Sequence, residues 1–337
     1  MRILVISTCS ARTPPDGFGP CEEVAYDLAV ELAAAGHDVV VFATADSPVD
    51  LPLAYHFGSP PTYSPEHQAA HAAAAIAYAN KEHFDVVHNN EANHGALLAH
   101  KIRWPTVTRM NWYPHENFYR QLRTLDAPAK FVAISHRMRE ALHELPFADT
   151  IHNGIDIAGF PYVERKEDYL LYLGRIIPQK GVDQAIEVAR QAGLPLVIAG
   201  QLLPRHQDYF NQQVRPAVDG KDVEWYGAAS RPQAKELLAG ARALVMPYRW
   251  EEPFGKVLVE AQACGTPVVS VPVGAVPEVV ADGVTGYLRE TPAQMAAAVR
   301  QLGSISPRAC RERSVELFSR ARMAADYARL YRRLAAG

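Results

Sequence analysis

The strongest constraint in this chain of 337 residues is a pattern that occurs twice: a short apolar run, a loop, a helical stretch closed by glycine, and a second apolar run. In the first cycle residues 2–7 form the opening strand, 12–20 a loop, about 22–35 a helix stopped by Gly36, and 39–42 (Val-Val-Val-Phe) the next strand. The second cycle has a strand at 170–174, a loop at 175–181, a helix at 182–191, a stop at Gly193 and a strand at 196–200. Strands that are apolar along their whole length are covered on both faces, the condition of a parallel sheet with helices above and below. Further apolar runs at 84–88, 106–108 and 131–135 extend the first cycle into a larger sheet. The fold class is therefore α/β, and the duplication predicts two doubly wound Rossmann-like domains, with ligand between the carboxyl ends of their strands. The turn residues Asn153, Gly154 and Asp156, followed by a polar linker at 161–168, set the break, giving domains over 1–158 and 159–317.

Length supports the division, because a single hydrophobic core stops growing at roughly 250–300 residues. With 48% hydrophobic and 21% charged residues the chain reads as globular, and a net charge of −3 from 34 basic and 37 acidic residues provides no field for nucleic acid. Cys9, Cys21, Cys264 and Cys310 have neither metal-ligand nor disulfide-framework spacing, so a reducing cytoplasm is the expected setting. The first strand begins directly after Arg2, so no signal peptide is expected, and no apolar run reaches about 18 residues. The alanine-rich stretch 69–79 is interrupted by His71 and Tyr78 and is expected as a packed helix. In the last segment, 308–334, arginines mix with Glu312, Glu316 and Asp326, which describes a solvated helical pair and does not favour membrane association.

Within this framework residues 250–260 carry the clearest chemistry, because Glu252 and Glu260 stand eight positions apart across a turn-to-helix junction. Pro253 and Gly255 forbid a helix through the first half, whereas 257–264 can form one. The backbone N–H groups of Gly255, Lys256 and Val257, with the positive end of the helix dipole behind them, then suit a phosphate. One carboxylate can accept from hydroxyls on the near side of a phosphate-bearing ligand and the other from hydroxyls on its far side, the layout of a nucleotide sugar. Without such a ligand the pair would be a surface carboxylate and an ordinary helix charge.

Residues 250–269, followed by Gly274 to Val280 and Asp282 to Gly286, strongly resemble the family 4 glycosyltransferases, retaining enzymes of the two-domain GT-B fold. The resemblance covers nearly the whole chain and is densest over 170–288. It implies that Glu252 contacts the donor sugar and Glu260 the nucleotide ribose, with Gly19, Gly174, Gly200, Tyr226, Phe254 and the helix start also on the nucleotide sugar. It implies too that a C-terminal helix, about 318–337, crosses back to the first domain. Arg175 and Lys180, five residues apart in a Gly-Arg…Lys-Gly loop, can both reach one diphosphate and would stabilise its charge as the sugar–phosphate bond breaks. Taken alone they would be two surface cations, and the family match gives them the catalytic role.

The first-domain loop departs from the family pattern, since Gly19 is followed by Pro20, which has no N–H to offer a phosphate. Gly17 and Gly19 also lack the third glycine of a dinucleotide fingerprint, which disfavours an NAD enzyme. At the end of the strand at 106–108 the family's usual histidine aligns with Asn111, which can hydrogen-bond a hydroxyl but cannot titrate; His115 lies one turn on. Asp16, Asn89, Asn90, Glu91 and His94 occupy other loops on that face and are acceptor-side candidates.

These readings converge on a metal-independent hexosyltransferase that moves a sugar from a nucleoside diphosphate sugar to an acceptor hydroxyl, with a UDP-sugar preferred over a GDP-sugar and no cofactor. The acceptor class spans a small molecule, a glycan or a lipid, with a small soluble acceptor favoured, as in carbohydrate or antibiotic biosynthesis. No Asp-x-Asp metal motif is present. The alternatives are a GT-B relative that only binds, hydrolyses or epimerises nucleotide sugars, and a cytoplasmic sugar-binding protein.

Overall fold

The computed structural model describes residues 1–17, 19–91, 93–124 and 130–336. The chain divides into two compact units, Met1–Ile155 with Arg320–Gly337, and Asp156–Ser319. The first division falls before the expected linker at 161–168, and that stretch is tied to the second unit. Val163 N–H donates to the Cys264 carbonyl (3.3 Å), Glu167 N–H to Gly240 O (2.8 Å), and Lys166 Nζ to the carbonyls of Ala239 and Cys264 (both 2.9 Å). A polar composition signalled a linker, yet these polar groups are spent on main-chain partners.

In the first unit the elements are β1 (Arg2–Ile6), α1 (Pro20–Ala34), β2 (Asp38–Ala43), β3 (Leu53–Tyr55), α2 (Pro65–Lys81), β4 (Val86–Asn89), α3 (His94–Leu98), β5 (Thr106–Met110), α4 (Glu116–Arg123), β6 (Lys130–Ala133), α5 (His136–Ala141) and β7 (Phe147–Thr150). The strands form one parallel sheet in the order β3-β2-β1-β4-β5-β6-β7. Helix α1 begins earlier than expected, at Pro20, because the first helical position needs no N–H and proline's fixed φ suits it. On one face of the sheet α1 packs through Val24, Leu28 and Leu32, and on the other α2 packs through Ala75 and Ala79 against Leu4, Ile6 and Phe42. The alanines of α2 let that helix lie close to the sheet.

The second unit contains β8 (Leu170–Leu173), α6 (Val182–Ala192), β9 (Leu196–Ala199), α7 (Gln207–Tyr209), β10 (Val223–Gly227), α8 (Arg231–Gly240), β11 (Ala243–Met246), α9 (Lys256–Ala263), β12 (Val268–Ser270), α10 (Val276–Val279), β13 (Gly286–Leu288), α11 (Pro292–Val299) and α12 (Pro307–Phe318). Its sheet is again parallel, ordered β10-β9-β8-β11-β12-β13. The last helix, α13 (Arg320–Ala335), belongs to the first unit. Its Met323, Tyr327, Leu330 and Tyr331 recur at helical spacing and are buried in the same cluster as α1. Each such large side chain contributes about 1.5–3 kcal/mol on burial. Arg320 fixes the helix start, with Nε 2.7 Å from Glu31 Oε1.

In both sheets the strand order reverses direction once, between β1 and β4 and between β8 and β11. The loops leaving the carboxyl ends of those strands diverge there, so the crevice between them is where a parallel sheet takes ligand. No described helix is long and apolar enough to cross a membrane, and none of the four cysteines is in a disulfide.

Candidate functional site

The reversal in the second unit brings together the loop after β8, which carries Arg175 and Lys180, and the loop after β11, which carries Trp250, Glu252 and Gly255. Lys180 Nζ lies 3.0 Å from Glu252 Oε2, and the Trp250 indole N–H donates to the same oxygen at 2.9 Å. The ammonium also sits over the rings of Tyr248 and Trp250, at 5.0 and 5.4 Å from their centroids. An aromatic pair of this kind holds a cation without neutralising it. Further along, Glu260 Oε1 accepts from Arg231 Nη1 at 2.8 Å and lies 3.7 Å from Lys256 Nζ. The two carboxylates eight positions apart are thus both buried and both paired with cations.

The junction itself is fixed by backbone geometry. Gly255 caps α9 with φ 82°, a left-handed conformation in which a Cβ would lie 2.8 Å from Leu258 Cδ1. Leu258 N–H returns to the Gly255 carbonyl at 2.9 Å, which starts the helix at Lys256. Glu252 is held from behind by the loop after β12. Ala275 N–H donates to its carbonyl at 2.9 Å, and at Gly274 a Cβ would come within 2.4 Å of the Glu252 backbone. On the far side Arg249 is anchored to Asp183 of α6 (Nη1 to Oδ1, 2.9 Å), where Tyr209 also donates (2.6 Å).

Other expected members of this site sit differently. Gly174 N–H donates to Ala199 O (3.0 Å) and Gly200 N–H to Gly227 O (2.8 Å), so both amides serve the sheet. Phe254 is buried against Phe318 (centroids 5.8 Å apart), so its side chain is part of the core. Tyr226 is exposed at the end of β10, Val257 lies in the first turn of α9, and Arg175 is half-buried with its carbonyl accepting from Tyr172 (3.0 Å).

In the first unit the reversal between β1 and β4 opens a cavity of about 320 Å³. Of the acceptor-side candidates, Asn90, Glu91 and Asn111 line it, as does Gly19, expected on the nucleotide sugar, together with Thr8, Glu22 and Trp112, which sequence reasoning did not single out. Glu22 sits in the first turn of α1 and accepts from the Thr8 hydroxyl; burial pushes its carboxyl above the usual range. Burial likewise raises Glu91, whose carboxylate accepts from the N–H groups of Asn93 (3.2 Å) and Gly95 at the start of α3.

The floor is ordered by Arg109, a fully buried guanidinium. Its Nη1 donates to Asn90 Oδ1 (3.0 Å) and to Asn111 Oδ1, and its Nη2 to Asn153 Oδ1 (2.5 Å). Asn111 Nδ2 donates to the Asn90 carbonyl at 2.8 Å, so the residue aligned with a histidine is clamped at both ends.

Four candidates stand apart from the cavity lining. Asn89 spends its amide on Thr108 Oγ1 (3.2 Å) and on the Glu91 backbone (3.1 Å both ways), which makes it a support of the β4 end. His94 opens α3, exposed His115 precedes α4 with its ring 6.1 Å from Trp112, and exposed Asp16 is paired with Arg12.

Comparison with known proteins bears on both units. Residues 160–313 match the family model described as Glycosyl transferases group 1, and residues 21–158 match Glycosyltransferase Family 4. A glycogen synthase of Mycobacterium tuberculosis is 27% identical over 90% of this chain and 86% of its own length. Among solved structures, the sucrose-phosphate synthase of Thermosynechococcus elongatus superposes with a TM-score of 0.82 at 21% identity, covering 100% of this chain and 99% of the other. Anabaena HepE, solved with UDP and glucose, superposes with a TM-score of 0.75 at 20% identity, covering 98% of each chain.

Proposed function

The chain belongs to the family 4 glycosyltransferases, with the GT-B fold, and from that premise we propose that it moves a sugar from a nucleoside diphosphate sugar to an acceptor hydroxyl with retention at the anomeric carbon. Glycosyl transfer is the activity; the donor class, the stereochemistry and independence from metal are our reading. The observation that carries it is the Lys180–Glu252–Trp250 constellation ahead of α9, with Glu260 of that helix held by Arg231 of α8.

In this reading the diphosphate binds where the first N–H groups of α9 project and the helix dipole favours negative charge. Glu252 and Glu260 then accept hydrogen bonds from sugar and ribose hydroxyls. An ammonium has three donors, so Lys180 can keep Glu252 on one N–H and turn the others to phosphate oxygens. As the bond from the anomeric carbon to the phosphate oxygen breaks, its electron pair stays on the diphosphate, and Lys180 and Arg175 stabilise that charge more in the transition state than in the ground state. The acceptor hydroxyl attacks the same face, and its proton passes to the departing phosphate oxygen. UDP is the preferred nucleotide, in line with the UDP bound in the HepE structure.

A thermal-shift panel of UDP, GDP, ADP and TDP with excess EDTA tests the donor class. UDP is expected to raise the midpoint most, because a ligand at a hundred times its dissociation constant stabilises by about 2.7 kcal/mol. No shift with any nucleotide, or one that appears only when Mg²⁺ or Mn²⁺ is restored, would overturn this reading. Retention is read by NMR of the product's anomeric proton.

A further inference from the structure

The first-unit cavity has a chemistry that narrows the acceptor. Its lining combines the carboxamides of Gln68, Asn90, Asn93 and Asn111, the hydroxyls of Thr8 and Ser10, the carboxyls of Glu22 and Glu91, and the rings of Tyr63 and Trp112. Among the described residues no lysine, arginine or histidine lines it. From this lining, and resting on the glycosyl-transfer reading above, we propose that the acceptor is an uncharged or amine-bearing polyhydroxylated ring, a sugar or cyclitol, and that phosphorylated acceptors are excluded.

Three features support the assignment. A hydroxyl both donates and accepts, and this wall presents both kinds of partner, since carboxamide N–H groups stand beside carboxyl oxygens. The Arg109 guanidinium fixes which is which: it occupies the carbonyl oxygens of Asn90 and Asn111, leaving their N–H ends for other acceptors. One Nδ2 hydrogen of Asn111 is taken by the Asn90 carbonyl and one of Asn90 by the Cys21 carbonyl (3.4 Å), and each amide nitrogen carries a second. Finally, about 320 Å³ is at the low end of small-molecule sites and gives room for one ring.

The exclusion of phosphate follows from charge. Moving a dianion into a concave site is costly unless a cation or a free helix N-terminus meets it there, and the first turn of α1, which lines this cavity, has a proline at its first position and already carries the carboxyl of Glu22. Arg109, a buried guanidinium that donates to the lining residues Asn90 and Asn111, is already divided among three carboxamide oxygens. Glu22 and Glu91, at 3% and 1% exposure, stand on the cavity side with carboxyl groups that repel an anion when ionised and hydrogen-bond hydroxyls in either protonation state. A protonated amine on the ring meets no such penalty.

The test is titration calorimetry on the full chain, with and without saturating UDP. Methyl α-glucoside and myo-inositol are the neutral probes, glucosamine the cationic one, and glucose 6-phosphate and inositol 1-phosphate the anionic ones. Neutral or amine-bearing probes are expected to bind at least about tenfold more tightly than their phosphates, a difference of about 1.4 kcal/mol. Ser10→Arg, which adds a cation at the exposed rim, is expected to shrink or invert that ratio, and Asn111→Ala to weaken every probe. A phosphate bound as tightly as its neutral parent by the wild-type chain, or no binding of any probe, overturns the proposal. The UDP titration run alongside separates the two readings: UDP binding with the wrong probe order removes only the acceptor class, whereas the expected order without UDP binding removes the proposed donor.

Discussion

Lys180 Nζ and Glu252 Oε2 lie 3.0 Å apart, joining the loop after β8 to the loop after β11 across the strand reversal of the second unit. The side chains are 14% and 9% exposed, so this is a largely desolvated pair, and removing one member of such a pair costs about 3–5 kcal/mol. The contact therefore serves two ends, fixing the shape of the crevice and keeping a cation where a leaving diphosphate would need it.

Lys180→Ala should lower the transfer rate by on the order of a hundredfold or more, comparable to losing an oxyanion-hole donor, and Arg175→Ala should act in the same direction. Lys180→Arg should rescue only in part: a guanidinium can stack on Tyr248 and Trp250, but its rigid planar fork does not turn separate N–H groups to Glu252 and to a phosphate as a compact ammonium does. Steady-state transfer with excess EDTA, beside urea unfolding of each variant, separates catalysis from stability. Alanine variants within about threefold of wild type, or activity abolished by the chelator and restored by a divalent metal, would remove this cation pair from the mechanism.

A second prediction concerns the far carboxylate. Glu260→Ala should weaken nucleotide binding by roughly tenfold or more, the loss of a charge-assisted hydrogen bond of about 1.5–3 kcal/mol. Arg231, 2.8 Å from Glu260 Oε1, sets where that carboxylate points, so Arg231→Ala should weaken the same nucleotide with a smaller effect on the rate at saturating donor. Isothermal titration with UDP reads both. Unchanged affinity in Glu260→Ala would end the ribose assignment.

The parts of this architecture that show in the sequence are those where local chemistry and tertiary role coincide. Central strands such as β1 and β8 are apolar because both faces are covered, and Gly255 ends one conformation and begins another within a single residue. The edge strands β3 and β7 did not show, because they are half-exposed and carry no apolar run. The linker at 161–168 was misplaced because polarity marks either solvent or a polar partner, and here the partner is main chain. In the candidate site Glu252, Glu260 and Lys180 were singled out by the family resemblance and not by spacing alone, and each is paired with an opposite charge. Arg231 and Arg109 were not singled out, since each reaches a residue distant in sequence, Glu260 and Asn153 respectively, and no local pattern records that. Glu22 carries no signal of its own in the sequence, since the first turn of a helix is an ordinary place for a carboxylate.

Acid stability should be limited by two histidines of the first unit. Burial lowers His71 from 6.5 to about 4 and His88 from 6.5 to about 3. Both are therefore neutral in the folded chain while the unfolded chain takes up protons below about 6.5. The stability they confer is complete above that pH and is lost as pH falls toward 4 and then 3, at up to about 1.4 kcal/mol per pH unit for each. Glu22 and Glu91, raised by burial, oppose this loss as they protonate. Urea midpoints should fall between pH 7 and pH 5, and His71→Gln, which keeps a donor for the Ser7 carbonyl 3.0 Å away, should flatten the slope. A midpoint independent of pH over that range would contradict the assignment.

The last prediction is that Arg109 acts through Asn111. Arg109 touches the cavity only by holding carboxamide oxygens, so its removal should leave Asn111 free to rotate and present either end to an acceptor. Arg109→Met and Asn111→Ala should each raise the acceptor KM by about tenfold while leaving nucleotide affinity in place, because neither residue belongs to the second unit. If the two act as one device, the double variant falls no further than the worse single variant; independent residues would give losses that add. Arg109→Met leaves the oxygens of Asn90, Asn111 and Asn153 without this donor, at about 1–3 kcal/mol for each that stays buried, so urea unfolding is run first to show that the variant is folded when its KM is read. Arg109→Lys should restore little, because one ammonium cannot span the oxygens of Asn90, Asn111 and Asn153 as the guanidinium fork does. Additive losses in the double variant, or full rescue by lysine, would show that Arg109 supplies charge alone and does not set the orientation of Asn111.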